Sequence, residues 1–138
     1  MPRERRVWCV ASSRKTPINK LDSAIHGILE DYSAEISQSM DQTVKRVTRE
    51  GVKALRAESR RAFPNGTAAY AKGWTSSVDT KKRSAQGVIY NKDLPGLPHL
   101  LEYGHANRGG GRTPGRVHIE PVENTIAQSF VKEVTKAI

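Results

Sequence analysis

The stretch PINKLDSAIHGILEDYSAEISQSMDQTVKRVTREGVKALRAESRRAF, residues 17–63, decides the fold. Within it Leu21, Ile25, Ile28, Tyr32, Ile36, Met40, Val44, Val47, Gly51 and Leu55 follow one another at intervals of three or four. That interval returns side chains to one face of a helix of about 3.6 residues per turn, so the stretch reads as one long amphipathic helix with a buried stripe. Thr16 before Pro17, or Asn19 with Asp22 three positions later, supplies a start signal. Phe63-Pro64-Asn65-Gly66 supplies the stop. More than forty helical residues is long for a chain of 138. The helix is therefore expected to project past its own core or to break near Gly51, since glycine costs about 1 kcal/mol against alanine inside a helix.

Charge is segregated along this stretch. Residues 20–41 hold five acids and one base, and residues 42–63 hold seven bases and two acids. Acid at the start and base at the end complement the helix dipole, and a solvated charged face accounts for such a pattern. The same polarity also suits a helix lying beside a neighbouring subunit's helix, acidic half against basic half.

Downstream, Trp74, Ser76, Val78 and Thr80 alternate with polar residues, and residues 86–91 contain Val88-Ile89-Tyr90. These read as two strands joined by the polar connection Thr80-Lys81-Lys82-Arg83-Ser84. Two strands alone are not stable in water, so they must pack on the long helix or on another subunit. A short helix is expected around Pro98–Tyr103 with Gly104 as a left-handed C-cap. Residues 107–116 read as a flexible basic loop. After Pro121, Val122, Ile126, Phe130 (or Gln128), Val131 and Val134 mark a final amphipathic helix. The sequence thus predicts an α+β domain over residues 17–138: a long N-terminal helix packed on a small antiparallel hairpin, a short helix and a C-terminal helix. Residues 1–16, with five bases and one acid, read as a flexible basic arm or an extension ahead of the domain.

At 15.3 kDa the chain has the size of one domain. Its larger core candidates are Trp8, Tyr32, Met40, Phe63, Tyr70, Trp74, Tyr90, Tyr103 and Phe130, a thin set that points to completion by partners. The formal charge of +9 favours anionic partners. A single cysteine, Cys9, excludes an intramolecular disulfide framework and fits a reducing compartment. The apolar stretch Val7–Ala11 is too short for an export signal, so the Asn65-Gly66-Thr67 sequon has no chemical consequence. No run approaches the roughly 20 apolar residues of a membrane span.

Catalytic and metal patterns are weak. His99, Glu102 and His105 are three residues apart, but two histidines six apart do not share a helix face and Gly104 intervenes, which argues against zinc. No nucleophile motif is legible, and Gly109-Gly110-Gly111-Arg112 lacks the Lys-Ser/Thr ending of a phosphate-binding loop. No enzymatic activity and no cofactor are expected. Arg108, Arg112 and Arg116, spaced by glycines, and Lys81-Lys82-Arg83 can neutralise phosphates, although no aromatic residue in the arginine loop offers bases a stacking platform.

The residues 87–122, GVIYNKDLPGLPHLLEYGHANRGGGRTPGRVHIEPV, bring a family into view. They hold a strand, an Asn, a short helix ending in Leu101-Glu102-Tyr103-Gly104-His105, a glycine-rich gap, then Pro114, Arg116, His118 and Pro121 before a terminal helix. This resembles the small head–tail joining proteins of long-tailed phages, also called neck or tail-completion proteins. Val117 departs from the Pro that such proteins often carry there. The element order matches over residues 18–138, and the residue-level match is confined to 87–122.

The resemblance implies a virion protein, made in the bacterial host cytoplasm and sited at the head–tail junction. It implies a cyclic homo-oligomer, expected to be a hexamer, between a connector or head-closure protein and a tail terminator or tail tube protein. Genomic DNA would pass through it without sequence-specific contact. Inter-subunit or partner contacts are then expected at Leu101, Glu102, Tyr103, Gly104, His105, Arg116 and His118, and DNA-facing basic loops at Lys81, Lys82, Arg83, Arg108 and Arg112. Glu102, near a helix C-terminus, opposes the local dipole. It is expected to serve a partner such as Arg116, in its own chain or the next subunit. Tyr103 and Trp74 are expected to pack the core. The alternative reading is a basic DNA- or RNA-binding module.

Overall fold

The computed structural model describes residues 17–66, 68–81 and 84–137, so the basic arm, Lys82 and Arg83 lie outside the described residues. The chain divides into two compact units, one up to Ala34 and one from Glu35 onward. No helix among the described residues is long and apolar enough to cross a membrane.

In the first unit a 3-10 turn, Ile18–Lys20, leads into helix α1, Leu21–Ala62. The turn is closed by the Lys20 N–H donating to the Pro17 carbonyl at 2.8 Å. The stripe predicted to be buried is open here: Leu21, Ile25, Ile28 and Tyr32 are 46–68% exposed, and Leu29 beside them is 61% exposed. Periodicity identified the helix correctly, but it specifies a face and not what covers it.

The second unit holds the rest of α1, then α2 (Ala68–Lys72), β1 (Trp74–Lys81), β2 (Ser84–Asn91), α3 (Leu97–Tyr103), β3 (Gly104–Ala106), β4 (Arg112–Pro114) and α4 (Glu120–Ala137). The fold is α+β. Here the α1 stripe is buried, through Thr43, Val44, Val47, Thr48, Gly51, Leu55 and Ser59. The helix does not break at Gly51. A Cβ there would sit 2.5 Å from the Ile89 Cδ1, and a Cβ on Gly87 would sit 2.2 Å from the Thr48 Oγ1. Glycines on both elements let α1 and β2 approach closely, which offsets the helix propensity lost at Gly51.

β1 and β2 pair antiparallel from Trp74↔Asn91 to Lys81↔Ser84. Both strands run further than predicted, β1 to Lys81 and β2 from Ser84. The face of Trp74, Gly87, Ile89 and Asn91 turns inward, whereas Val88 and Tyr90 on the other face are each 45% exposed. The core gathers Leu55, Tyr70, Trp74 and Val122, with Val52, Phe63, Ile89, Leu97, Leu101, Ile119 and Ile126 against them. Trp74 is buried as expected and donates its indole N–H to the Ser59 Oγ at 2.8 Å. Tyr103, expected in the core, is 75% exposed.

Residues 107–116 are not the simple loop that their composition suggests. β3 and β4 pair as Gly104↔Pro114, His105↔Thr113 and Ala106↔Arg112. Gly110 and Gly111 turn the tip at φ of 94° and 82°. Strands of three residues carry no readable alternation, and a helix of five residues such as α2 shows too little of its period, so neither was legible. On α4, Val122 is buried and Ile126, Phe130 and Val134 are half-buried, but Val131 is 63% exposed and falls off the stripe.

Candidate functional site

The residues singled out around α3 converge on the start of α4. Glu102, one residue before the end of α3, is 5% exposed. Its Oε2 accepts the backbone N–H of His118 at 2.8 Å and of Ile119 at 3.0 Å, and its Oε1 accepts that of Glu120 at 3.0 Å. α4 begins at Glu120. These N–H groups belong to a helix start, where no intrahelical carbonyl is available and the dipole favours an anion. Burial pushes the Glu102 carboxyl up, but the three amide bonds and the nearby His118 outweigh it and hold the group below the usual carboxylate range. Glu102 thus caps another helix rather than opposing its own.

His118 has no exposed surface. Its Nδ1 lies 2.7 Å from the Arg116 carbonyl and 2.9 Å from the Glu102 Oε2, and its Nε2 lies 2.7 Å from the Tyr70 hydroxyl. With two oxygen acceptors beside it, Nδ1 carries a proton, and Nε2 shares one hydrogen bond with the Tyr70 hydroxyl. Tyr70 is pushed well above the ordinary phenol range by burial and by the Glu102 charge. Phe63 stands edge-on to the imidazole, with ring centres 5.0 Å apart.

Two glycines close the joint. Gly104 takes φ 77° and ψ 172°, so it is an extended glycine-specific conformation and not the left-handed cap expected from its position. A Cβ on Gly104 would meet the Thr113 carbonyl oxygen at 2.3 Å, and one on Gly115 would meet the Glu102 carbonyl oxygen at 2.2 Å. Between them the Arg116 N–H donates to the Leu101 carbonyl at 2.7 Å. The segments 101–105 and 114–118 are therefore pressed backbone to backbone.

Within the chain Arg116 does not pair with Glu102. Its Nη1 donates to the carbonyl of Ala62, the last residue of α1, at 2.8 Å. The guanidinium lies 5.7 Å from the Phe63 ring centre. The carboxylate lies at an amide-rich helix start and the guanidinium at a carbonyl-rich helix end, so each meets the opposite partial charge. Tyr103 stands outside this joint, and His105 is half-buried with an Nδ1 that lacks a hydrogen-bond partner.

Among the described residues, the basic residues expected to face DNA do not join the cluster. Lys81 is exposed and lies 3.4 Å from Asp79. Arg108 and Arg112 are exposed on the β3–β4 hairpin, where an Arg112 Nη2 reaches the Tyr103 carbonyl at 3.4 Å. Among the described residues no group of three or more His, Cys, Asp or Glu is placed to hold a metal ion.

Tyr70 is the member of the network that sequence reasoning missed as a polar residue, because nothing in its neighbourhood signals a bond to a position 48 residues away. The polar atoms of Tyr70, His118 and Glu102 bond to one another and to backbone, an arrangement that fixes α3 against α4. No protein-family model matches this sequence, and no curated protein and no solved structure matches it.

Proposed function

We propose that this chain is a structural protein of a tailed-phage virion that joins head to tail. In this reading it forms a ring, six-fold, between a connector or head-closure protein and a tail terminator or tail tube protein, with the genome passing through. The supporting observation is the exposed face of Leu21, Ile25, Ile28, Leu29 and Tyr32 on α1. A contiguous apolar face in water marks a surface that another chain covers. The two-stranded β1–β2 sheet, which leaves one edge of each strand unpaired within the sheet, adds to this reading. So does the resemblance of residues 87–122 to neck proteins, whose quoted residues serve here as a joint between elements. Of those residues Tyr103, 75% exposed, is open to a partner. The exposed Arg108 and Arg112 suit non-specific contact with DNA phosphates.

The test is electron microscopy of particles assembled when this gene alone is deleted. DNA-filled heads lying apart from finished tails support the reading. Intact, infectious virions overturn it. The second reading, a basic DNA- or RNA-binding module, is favoured by the exposed arginines of the β3–β4 hairpin. It requires that neutralising Arg108, Arg112 and Arg116 abolish nucleic-acid retention and flatten its salt dependence.

A further inference from the structure

The part of α1 in the second unit carries a feature that the joint around Glu102 does not use. Lys45, Arg49, Lys53, Arg56 and Arg60 follow one another at intervals of three or four, so they share one face of the helix. That face lies opposite the buried stripe of Val44, Val47, Gly51 and Leu55, and all five residues are exposed. At a rise of about 1.5 Å per residue the row is about 22 Å long. Among the described residues none of the five is paired with a carboxylate. Arg56 is steadied by the Trp74 carbonyl, which accepts from its Nε at 3.1 Å and its Nη2 at 2.8 Å and leaves its charge uncompensated.

Such a row costs the free chain stability. Cations three and four positions apart on a helix repel one another. The dipole favours cations only in the last turn, which takes in Arg60 and leaves Lys45, Arg49 and Lys53 out of reach. A solvated helix face relieves repulsion by alternating its charges, and this face does not alternate. Compensation comes from an anion outside the fold.

The surroundings of the row select the kind of anion. Between residues 42 and 62 Ala57 is the only exposed apolar residue and Glu50 the only exposed acid. A helix lying on a lipid surface needs an apolar face to insert, and here the apolar stripe faces the core. A protein interface has an apolar centre within its polar rim, and the row has none. No exposed aromatic ring stands in this stretch to stack on unpaired bases. A straight file of cations suits a stiff polyanion, and a duplex carries about one phosphate charge per 1.7 Å of its axis.

We infer that the solvent face of α1, through Lys45, Arg49, Lys53, Arg56 and Arg60, binds the phosphate backbone of duplex nucleic acid without reading its sequence. The contact needs neither a ring nor a second copy, so it stands independently of the neck reading. It also lies on a different element from the arginines of the β3–β4 hairpin.

Binding of labelled duplexes to the full-length chain across a range of salt tests it. Two DNA duplexes of unrelated sequence should bind alike. A duplex RNA measured beside them names the source of the backbone, and tighter binding of either kind supports the inference. Arg49→Gln, Lys53→Gln and Arg60→Gln together remove three contacts and leave Arg56 on the Trp74 carbonyl. Affinity should then fall about tenfold or more, and the slope of log K against log salt should shrink by about 2.7, at about 0.9 per lost contact. Thermal unfolding of this variant should match or exceed that of the parent, because repulsion is relieved. Lys53→Gln alone should lower the slope by about 0.9 and repeats the test with the least disturbance. Lys20→Gln, Lys92→Gln and Lys132→Gln together remove the same charge from exposed positions elsewhere and should leave the slope unchanged. Equal losses in the two triple variants would reduce the effect to net charge and overturn the inference. A slope lost instead with Arg108→Gln and Arg112→Gln would place binding on the hairpin and equally overturn it. So would tighter binding to phosphatidylserine vesicles or to polyglutamate than to the duplexes at the same salt. The neck reading fails separately, on infectious deletion particles, whatever the slopes.

Discussion

The carboxylate of Glu102 accepts the backbone N–H of His118 at 2.8 Å, so the end of α3 caps the start of α4 across sixteen residues of sequence. The cap joins two helices that share no hydrophobic period and are separated by a hairpin. It explains how a chain with few large apolar residues holds its C-terminal third in place. A buried carboxylate with three amide donors is a fixed joint: removing it leaves the amides of a buried helix start without a partner.

Replacing Glu102 should therefore destabilise the fold more than a typical surface change. Glu102→Gln is an informative variant because it keeps the shape. Both carboxylate oxygens accept amide N–H groups, so one of them must be replaced by an NH2 that faces a donor. The expected loss for either Glu102→Gln or Glu102→Ala is about 3 kcal/mol. Urea unfolding checks it: the midpoint should fall with the slope unchanged. A midpoint within error of the parent would remove Glu102 from the role assigned to it.

The same bond sets a pH dependence. Glu102 titrates lower in the folded chain than in the unfolded one, so between those two values the unfolded state binds more protons. Its contribution is complete above the ordinary carboxylate range of about 4.3 and is lost as pH falls through the folded value. At the alkaline end the order reverses, since Tyr70 titrates higher when folded. Its contribution is whole below the ordinary phenol value of about 10 and fades above it. Unfolding followed across pH should show the Glu102→Gln variant closing on the parent in acid, and Tyr70→Phe closing on it in strong base. Parallel curves at every pH would contradict both assignments.

How much of this was legible beforehand depends on the range of the interaction. The α1 helix was readable because Leu21 to Leu55 repeat a local interval, and β1 and β2 because Trp74, Ser76 and Val78 alternate. Gly51 was placed on the buried stripe, but the reason a glycine stands there, Ile89 in the space it leaves, was not readable, and the role of Glu102 was misread, for one shared reason: each was judged by its own element. Glu102 looked misplaced at a helix C-terminus until the N-terminus of α4 was found beside it. Contacts made across long stretches of sequence leave no spacing to read, and the convergence of 101–105 with 114–118 is of that kind.

The glycine contacts between α1 and β2 make a paired prediction. At Gly51 the obstructing atom is the Ile89 Cδ1, the far end of a side chain that can rotate away. Gly51→Ala also gains about 1 kcal/mol of helix propensity, so its net effect should be close to zero. At Gly87 the obstruction includes the Thr48 Cβ at 3.3 Å and the Val44 Cγ1 at 3.2 Å as well as the Thr48 Oγ1, all near the helix backbone. Gly87→Ala should cost about 1–3 kcal/mol, and adding Thr48→Ala should return part of it. Thermal unfolding of the three variants would show this ordering, and a neutral Gly87→Ala beside a damaging Gly51→Ala would refute the packing.

Gly104 is the most demanding position in the joint, because two independent obstacles meet there. Its φ of 77° with ψ of 172° is a region that residues bearing a Cβ avoid at a cost of about 1–3 kcal/mol. A Cβ would also lie 2.3 Å from the Thr113 carbonyl oxygen, in β4, and 2.7 Å from the Gly115 nitrogen just past its end, both backbone atoms. Neither can rotate aside as a side chain would, so Gly104→Ala must part the hairpin from the end of α3. That would loosen the Arg116 N–H bond to Leu101 and, through it, the Glu102 cap. Gly110, with φ of 94° but open space around its Cβ position, is the control, since alanine there meets backbone strain alone. Gly104→Ala should lower stability by at least twice as much as Gly110→Ala. Hydrogen exchange should show lost protection at His118, Ile119 and Glu120 in the first variant only. Equal effects at the two glycines, or intact protection at the start of α4, would show that segments 101–105 and 114–118 do not depend on this contact.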